Sequence, residues 1–207
     1  MTISPSHSSL NRLIVRVLRV TACVMLATSF QVHAQNGSPM ETVETTVTAI
    51  LAILRNDTLG TDEARTLMRT EIGKSFDARA MSQSVLSTNW RNASEEQQDE
   101  FQALFMQTLE NTYIGRVEAY TNEQVDFKKE DINNNRATVD TAILASSNEI
   151  PVNYKLRLRS DGWFVYDVEV ENVSMVSSYR ETYRSVVKRD GMDGLLAQMR
   201  EKAAQQL

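Results

Sequence analysis

A chain of 207 residues, 42% apolar and 24% charged, is long enough to bury a real core, and its formal net charge of −5 makes it a poor partner for nucleic acid or anionic membrane surfaces. Its single cysteine excludes an internal disulfide framework.

The first 34 residues read as an export signal. Arg12, Arg16 and Arg19 form a basic region, Val20 to Phe30 an apolar run, and Val32-His33-Ala34 ahead of Gln35 a small-residue cleavage pattern. The run falls short of the roughly 18 apolar residues that a membrane-spanning helix needs, and nothing later approaches that length. A competing pattern, Val20-Thr21-Ala22-Cys23, resembles a lipoprotein cleavage box that would leave Cys23 lipidated. Against it, the apolar run follows Cys23 where it should precede it.

Cleavage after Ala34 removes His7, His33 and Cys23, so the mature residues 35–207, expected to form a single domain, contain neither residue type. Cysteine or histidine nucleophiles, imidazole bases and thiolate metal sites are thereby excluded, and any catalysis would rest on carboxylates, lysines and hydroxyls. The loss of three arginines and no acid moves the formal charge to −8.

Val43, Val47, Ile50, Leu51 and Leu54 recur at helical spacing and predict a first helix from about Met40 to Arg55. A turn at Leu59-Gly60 leads to a second, Asp62 to Lys74, and a short third spans Ala78 to Ser87. Ser94-Glu95-Glu96-Gln97 is a capping box, whose serine and glutamine can satisfy the free amides of a helix start. It opens the longest helix, to about Tyr120, with Phe101, Leu104, Phe105, Leu109, Tyr113 and Val117 along one side.

From Gln124 the apolar period drops to two, the signature of antiparallel strands. Four are predicted: Gln124–Glu130, Arg136–Ala145 after the Asn133-Asn134-Asn135 turn, Ile150–Arg159, and Trp163–Val173. A three-residue loop, Ser160-Asp161-Gly162, pairs Leu158 with Phe164, Leu156 with Tyr166, Tyr154 with Val168 and Val152 with Val170. All the apolar side chains then share one face, with Lys155 opposite Asp167 on a wet, charge-paired face. Helical spacing returns after Ser174, which can cap a helix to about Lys188 closed by Gly191, and Asp193 begins a last one. The order is four helices, four strands and two helices, an α+β domain without repeats.

The candidates for chemistry have plainer explanations. Asp167, Glu169 and Glu171 alternate on one strand face, but opposite Lys155 and Arg157 they read as charge pairing. Ser174, Ser177 and Ser178 have no histidine to activate them and read as capping and helix surface. Gly191 and Gly194 read as a helix stop and a turn, not a phosphate cradle, and Trp90 and Trp163 as core or rim residues. Tyr113, Tyr154, Tyr166, Tyr179 and Tyr183 all fall on inward faces. Periodicity leaves open whether they fill a core or line a cavity, because both are built from the same residue types.

Six stretches carry a family resemblance across the mature chain: Ser75-Phe76-Asp77; Trp90-Arg91-Asn92-Ala93-Ser94 with its glutamines; Ile150-Pro151-Val152-Asn153-Tyr154; Gly162-Trp163-Phe164-Val165-Tyr166-Asp167-Val168; Glu171-Asn172-Val173-Ser174-Met175-Val176 with Tyr179-Arg180; and Asp190-Gly191-Met192-Asp193-Gly194-Leu195. In this order they resemble the MlaC family of periplasmic phospholipid carriers, which includes toluene-tolerance proteins. Asn172 stands where that family usually has glycine, and Asn89 where it often has an aromatic residue.

The resemblance implies an MlaC-like, NTF2-like fold, with a four-stranded curved antiparallel sheet packed on helices and a lipid cavity between them. It implies a non-enzymatic carrier with no cofactor other than its phospholipid cargo, expected as a monomer in the periplasm. That carrier would shuttle glycerophospholipid between an outer-membrane lipoprotein (MlaA-like) with its porin and an inner-membrane ABC transporter bearing an MCE-domain (MlaD-like) ring, so maintaining outer-membrane lipid asymmetry. It also implies cavity-side positions at Val173, Ser174, Met175 and Tyr179. Periodicity adds Tyr113, Tyr154, Leu156, Tyr166, Val168 and Val170 to the expected lipid-binding set.

Overall fold

The computed structural model describes residues 37–118, 124–145 and 148–205. The expected signal peptide, with Cys23, lies outside the described residues.

Ser38 caps the first helix by accepting from the Glu41 amide, and Pro39 sits in its first turn, where a missing N–H costs nothing. This helix, α1, spans Pro39–Leu54. It is followed by α2 (Thr61–Ser75), α3 (Ala78–Leu86), a short α4 (Thr88–Asn92) and α5 (Glu95–Glu118). The capping box at the start of α5 forms as expected: the Gln97 amide donates to Ser94 Oγ at 3.2 Å, and the Ser94 amide donates to Gln97 Oε1 at 3.0 Å. The short α4 was not expected, because five residues are too few to show a period.

Strands β1 (Gln124–Asn133), β2 (Arg136–Leu144), β3 (Glu149–Arg159) and β4 (Gly162–Val170) form a sequential antiparallel meander. A two-residue fifth strand, β5 (Val173–Ser174), extends the edge beyond the four expected. The β4–β5 turn holds Glu171 at φ 51° and Asn172 at φ 65°. Asparagine is among the side chains that tolerate this left-handed conformation, so Asn172 can replace glycine there. The last helix, α6 (Met175–Ala204), is interrupted at Gly191 (φ 72°), as its glycine predicted, which divides it into the two expected pieces.

The β3–β4 register departs from the uniform alternation read from the sequence. Tyr154 pairs with Val168 and Val152 with Val170 as expected, and Lys155 faces Asp167. There the register shifts, so that Leu156 pairs with Val165 and Leu158 with Trp163, while the turn contracts to Ser160-Asp161. Tyr166 is the extra residue of a β-bulge, which resets the parity of the strand and bends it. Trp163 and Val165 therefore turn inward with Val168, whereas Phe164 and Tyr166 turn outward beneath the guanidinium groups of Arg159 and Arg136. A second shift, between Phe127 and Lys129, bends β1.

Two apolar cores result. One lies among the helices, around Met81, Phe101, Phe105, Tyr183 and Leu196; the other lies on the inner sheet face, around Val43, Val139, Leu156, Trp163 and Val165. Phe76 and Met175 touch both. Buried Asp77 ties helices to sheet: its backbone N–H donates to the Val165 carbonyl at 2.8 Å, while its carboxylate accepts from the Ala80 amide and from Arg157 and Arg159.

Candidate functional site

Between the two cores the side chains do not close up. A cavity of about 830 Å³ remains, walled by α1, α2 and α5 on the helical side and by the inner sheet face on the other. It sits toward the large end of the roughly 300–1,000 Å³ that small-molecule sites occupy. The α1 stripe read from the sequence, Val43 to Leu54, supplies one wall. Only Val43 is buried, while Val47, Ile50, Leu51 and Leu54 remain partly accessible although fully apolar. Met68 and Ile72 of α2 and Met106, Ile114 and Val117 of α5 continue the wall. Val125, Ile143, Tyr154 and Val168 complete it from the sheet.

Charge is confined to the part of the wall that meets solvent. Arg65 and Arg69 of α2, one helical turn apart, face Glu118 and Glu110 of α5. Arg65 donates from Nε and Nη2 to the two Glu118 oxygens at 2.7 and 3.1 Å, and Arg69 Nε donates to Glu110 at 2.9 Å. Arg65, Arg69 and Glu110 line the cavity, Glu118 is joined to it through Arg65, and the side chains of all four are between 26% and 58% exposed, which sets this pair of bridges at the mouth. Deeper in the wall, Val43, Met68, Met81 and Val165 are no more than 2% exposed.

Of the ten expected lipid-binding residues, Tyr113, Tyr154, Val168 and Met175 line the cavity. Burial pushes the Tyr154 hydroxyl up to about 12, so it stays neutral on that wall. The other six fall elsewhere. Leu156 is fully buried in the sheet core, and Val170 packs at its margin. Tyr166 is carried to the outer face by the bulge and stacks with Arg136. Val173, on β5, is 60% exposed. Tyr179 packs edge-on against Phe105 at 5.3 Å at the margin of the helical core and donates to Thr112 at the surface.

Ser174 works as a fastening. Its Oγ donates to Asp167 Oδ2 at 2.7 Å and accepts from the Ser177 amide, while Asp167 Oδ1 accepts from the Val176 amide. Asp167 is thus 4% exposed and pins the start of α6, with Lys155 Nζ 3.5 Å away. The wet face expected around it is dry at this position, because the Val176 amide and the Ser174 hydroxyl replace water as its partners.

The residues missed by the sequence reading are chiefly the helical walls of α1, α2 and α5. Their apolar stripes were visible, but a stripe that packs and a stripe that borders a cavity have the same spacing. Among the described residues no group of three or more His, Cys, Asp or Glu side chains is placed to hold a metal, and no helix is long and apolar enough to cross a membrane.

An open antiparallel sheet whose inner face is held off its helices by a mostly apolar chamber with a charged mouth defines a binding protein for a mostly apolar molecule. The chain belongs to the MlaC protein family, whose pattern matches residues 44–201. It is 24% identical over 147 residues to the intermembrane phospholipid transport system binding protein MlaC of Haemophilus influenzae, covering 68% of this chain and 69% of that one. It is 25% identical over 187 residues to the toluene tolerance protein ttg2D of Pseudomonas putida, covering 86% of each. In three dimensions it matches a phospholipid-binding protein from Ralstonia solanacearum, solved in complex with a phospholipid. That match has a TM-score of 0.77 at 24% identity and covers 82% of this chain and 99% of the other.

Proposed function

We propose that this protein is a periplasmic carrier that encloses the acyl chains of a glycerophospholipid and performs no chemistry on them. The observation that carries the reading is the cavity: about 830 Å³, mostly apolar and charged only at its mouth, in a chain of the MlaC family. The names of the relatives support the same reading, one a phospholipid transport system binding protein and one a phospholipid-binding protein with its lipid.

The energetics suit a shuttle. Two ordinary acyl chains hold roughly 30 methylene groups, and exposing them to water costs about 0.8 kcal/mol each, or on the order of 25 kcal/mol in all. Release into water is negligible, whereas transfer into a bilayer leaves the chains equally dry and needs little net energy. Loading and unloading therefore belong at docked membrane partners: an MlaA-like lipoprotein with its porin on the outer membrane and an MlaD-like ring on the inner membrane. Residues 1–34 act as the export signal and residues 35–207 as the carrier domain.

The test is solvent extraction of the purified protein followed by mass spectrometry. Diacyl phospholipid should be recovered at up to one molecule per chain, and protein stripped of lipid should reload from vesicles. An extract without phospholipid, together with failure to reload, overturns the reading.

A further inference from the structure

We propose that the charges at the cavity mouth form a headgroup site that favours zwitterionic phospholipid, with Arg65 and Arg69 taking the phosphate and either Glu110 or Glu118 the ammonium. The inference rests on the carrier reading above and goes beyond it, because an apolar chamber alone selects only for acyl chains.

Three features of the mouth support it. The arginines lie four residues apart on α2, about 6 Å along the helix axis, so their planar guanidinium forks flank a space suited to one phosphate group. The glutamates lie eight residues apart on α5, about 12 Å, and bracket the arginines from the opposite wall. All four side chains are partly solvated, so exchanging one partner for another strands no buried charge.

Charge bookkeeping then separates the headgroups. Without lipid, each cation is paired with one anion. A zwitterion inserted between an arginine and a glutamate gives each protein charge a new opposite partner and extends the alternation of signs. An anionic headgroup such as phosphatidylglycerol can draw an arginine away from its glutamate. It leaves that carboxylate unpaired beside a phosphate, in a chain that already carries a net negative charge. The hydrogen bond from Arg65 holds the Glu118 carboxyl below its usual range, so that carboxylate stays ionised at neutral pH.

The experiment incubates purified, lipid-stripped protein with vesicles containing equal amounts of dioleoyl phosphatidylethanolamine, phosphatidylcholine and phosphatidylglycerol, and then weighs the bound species. Mixed vesicles present the same surface charge to every lipid, which removes membrane repulsion as a cause. The wild type should carry the two zwitterions over phosphatidylglycerol by about three- to fivefold, the discrimination that one exposed ion pair provides. The E110Q/E118Q variant should lose that preference, read as the ratio of zwitterionic to anionic species among the lipid it binds. Should the double variant fold poorly by circular dichroism, the single Glu110→Gln variant should still move the ratio toward phosphatidylglycerol. Bound lipid in vesicle proportions for the wild type, or a preference unchanged in the glutamine variants, overturns the inference. Absence of any bound lipid in the wild type overturns the carrier reading instead.

Discussion

Replacing Ile50 by glutamate separates a lipid chamber from an ordinary core. Ile50 lines the cavity yet belongs to neither packed core, so a carboxylate there can reach water whenever the chamber is empty. The fold should survive; glutamate is a good helix former and Ile50 lies within α1. With lipid inside, the same carboxylate would have to lie against methylenes. It forfeits about 1.5–3 kcal/mol of apolar contact and incurs several kcal/mol of desolvation, together about 5 kcal/mol or more, which is roughly three to four orders of magnitude in lipid retention. The assay is lipid bound per chain after incubation with vesicles, with Ile50→Met as the volume-conserving control and circular dichroism to establish folding. Loading should fall below detection for I50E and stay normal for I50M. The loaded state disfavours the charged form and raises the pKa of the new glutamate, so part of the loading should return as pH falls toward 5. Normal loading of a folded I50E protein at neutral pH would refute the placement of the acyl chains.

Asp77→Ala should lower stability by about 2–4 kcal/mol, or roughly 5–10 °C in Tm by calorimetry, because it removes a helix cap and leaves Arg157 and Arg159 without their buried partner; both arginines stay partly in water, which keeps the loss below the fully buried case. Burial opposes the charge of that carboxyl, but the Ala80 amide and the two arginines outweigh it and hold its pKa below the ordinary range. Its contribution is therefore present above about pH 4 and lost as pH falls through the lowered value, and urea midpoints measured from pH 6 to pH 2 should show the loss diminished in D77A. Alkaline absorbance titration should find Tyr154 and Tyr183 delayed to about 12, and the late step should be smaller in the Y154F/Y183F variant. At the β4–β5 turn, Asn172→Gly with Glu171→Asn should stabilise the protein by about 1 kcal/mol, since both positions hold positive φ, and Asn172→Val should destabilise it by a similar amount or more in a denaturant midpoint assay.

Most elements were legible because their signals are local. The capping box at Ser94, the Asn-rich turn before Arg136 and the helix stop at Gly191 each act within a few residues, and each stands where the spacing put it. The β3–β4 hairpin was only half legible. Strict alternation assigns Tyr166 and Val168 to one face, yet the bulge at Tyr166 inserts one residue and sends them to opposite faces. A hint was present: Trp163-Phe164-Val165-Tyr166 is apolar or aromatic at every position, so parity within it was ambiguous and the charged residues further along decided the reading alone. The expected site inherited the error at Tyr166. At Leu156 the face was correct, but cavity and core share that face and the cavity does not extend to it.

Four of the six stretches that identify the family reach the cavity, through Phe76, Tyr154, Val165, Val168 and Met175, but their polar residues serve as fastenings and not as cavity wall. Asp77 joins helices to sheet, Gln98 donates to the carbonyls of Trp90 and Ala93, Asp167 and Ser174 start α6, and Arg180 Nε donates to the Ser84 carbonyl at 2.7 Å to hold α6 on α3. These are buried or half-buried polar contacts, each needing one particular side chain at one place, so they leave a recognisable pattern in the sequence. The cavity wall asks only for apolar bulk of about the right size, which leucine, isoleucine, valine and methionine all supply. A chamber for acyl chains is in this sense the absence of packing between two well-fastened halves. It arises because Phe76 and Met175 bridge the cores while the Arg65–Glu118 and Arg69–Glu110 bridges span the mouth. The sign of such a chamber is an apolar helix stripe that folding leaves partly uncovered, as Val47, Ile50, Leu51 and Leu54 are, and that sign exists only once the fold has formed.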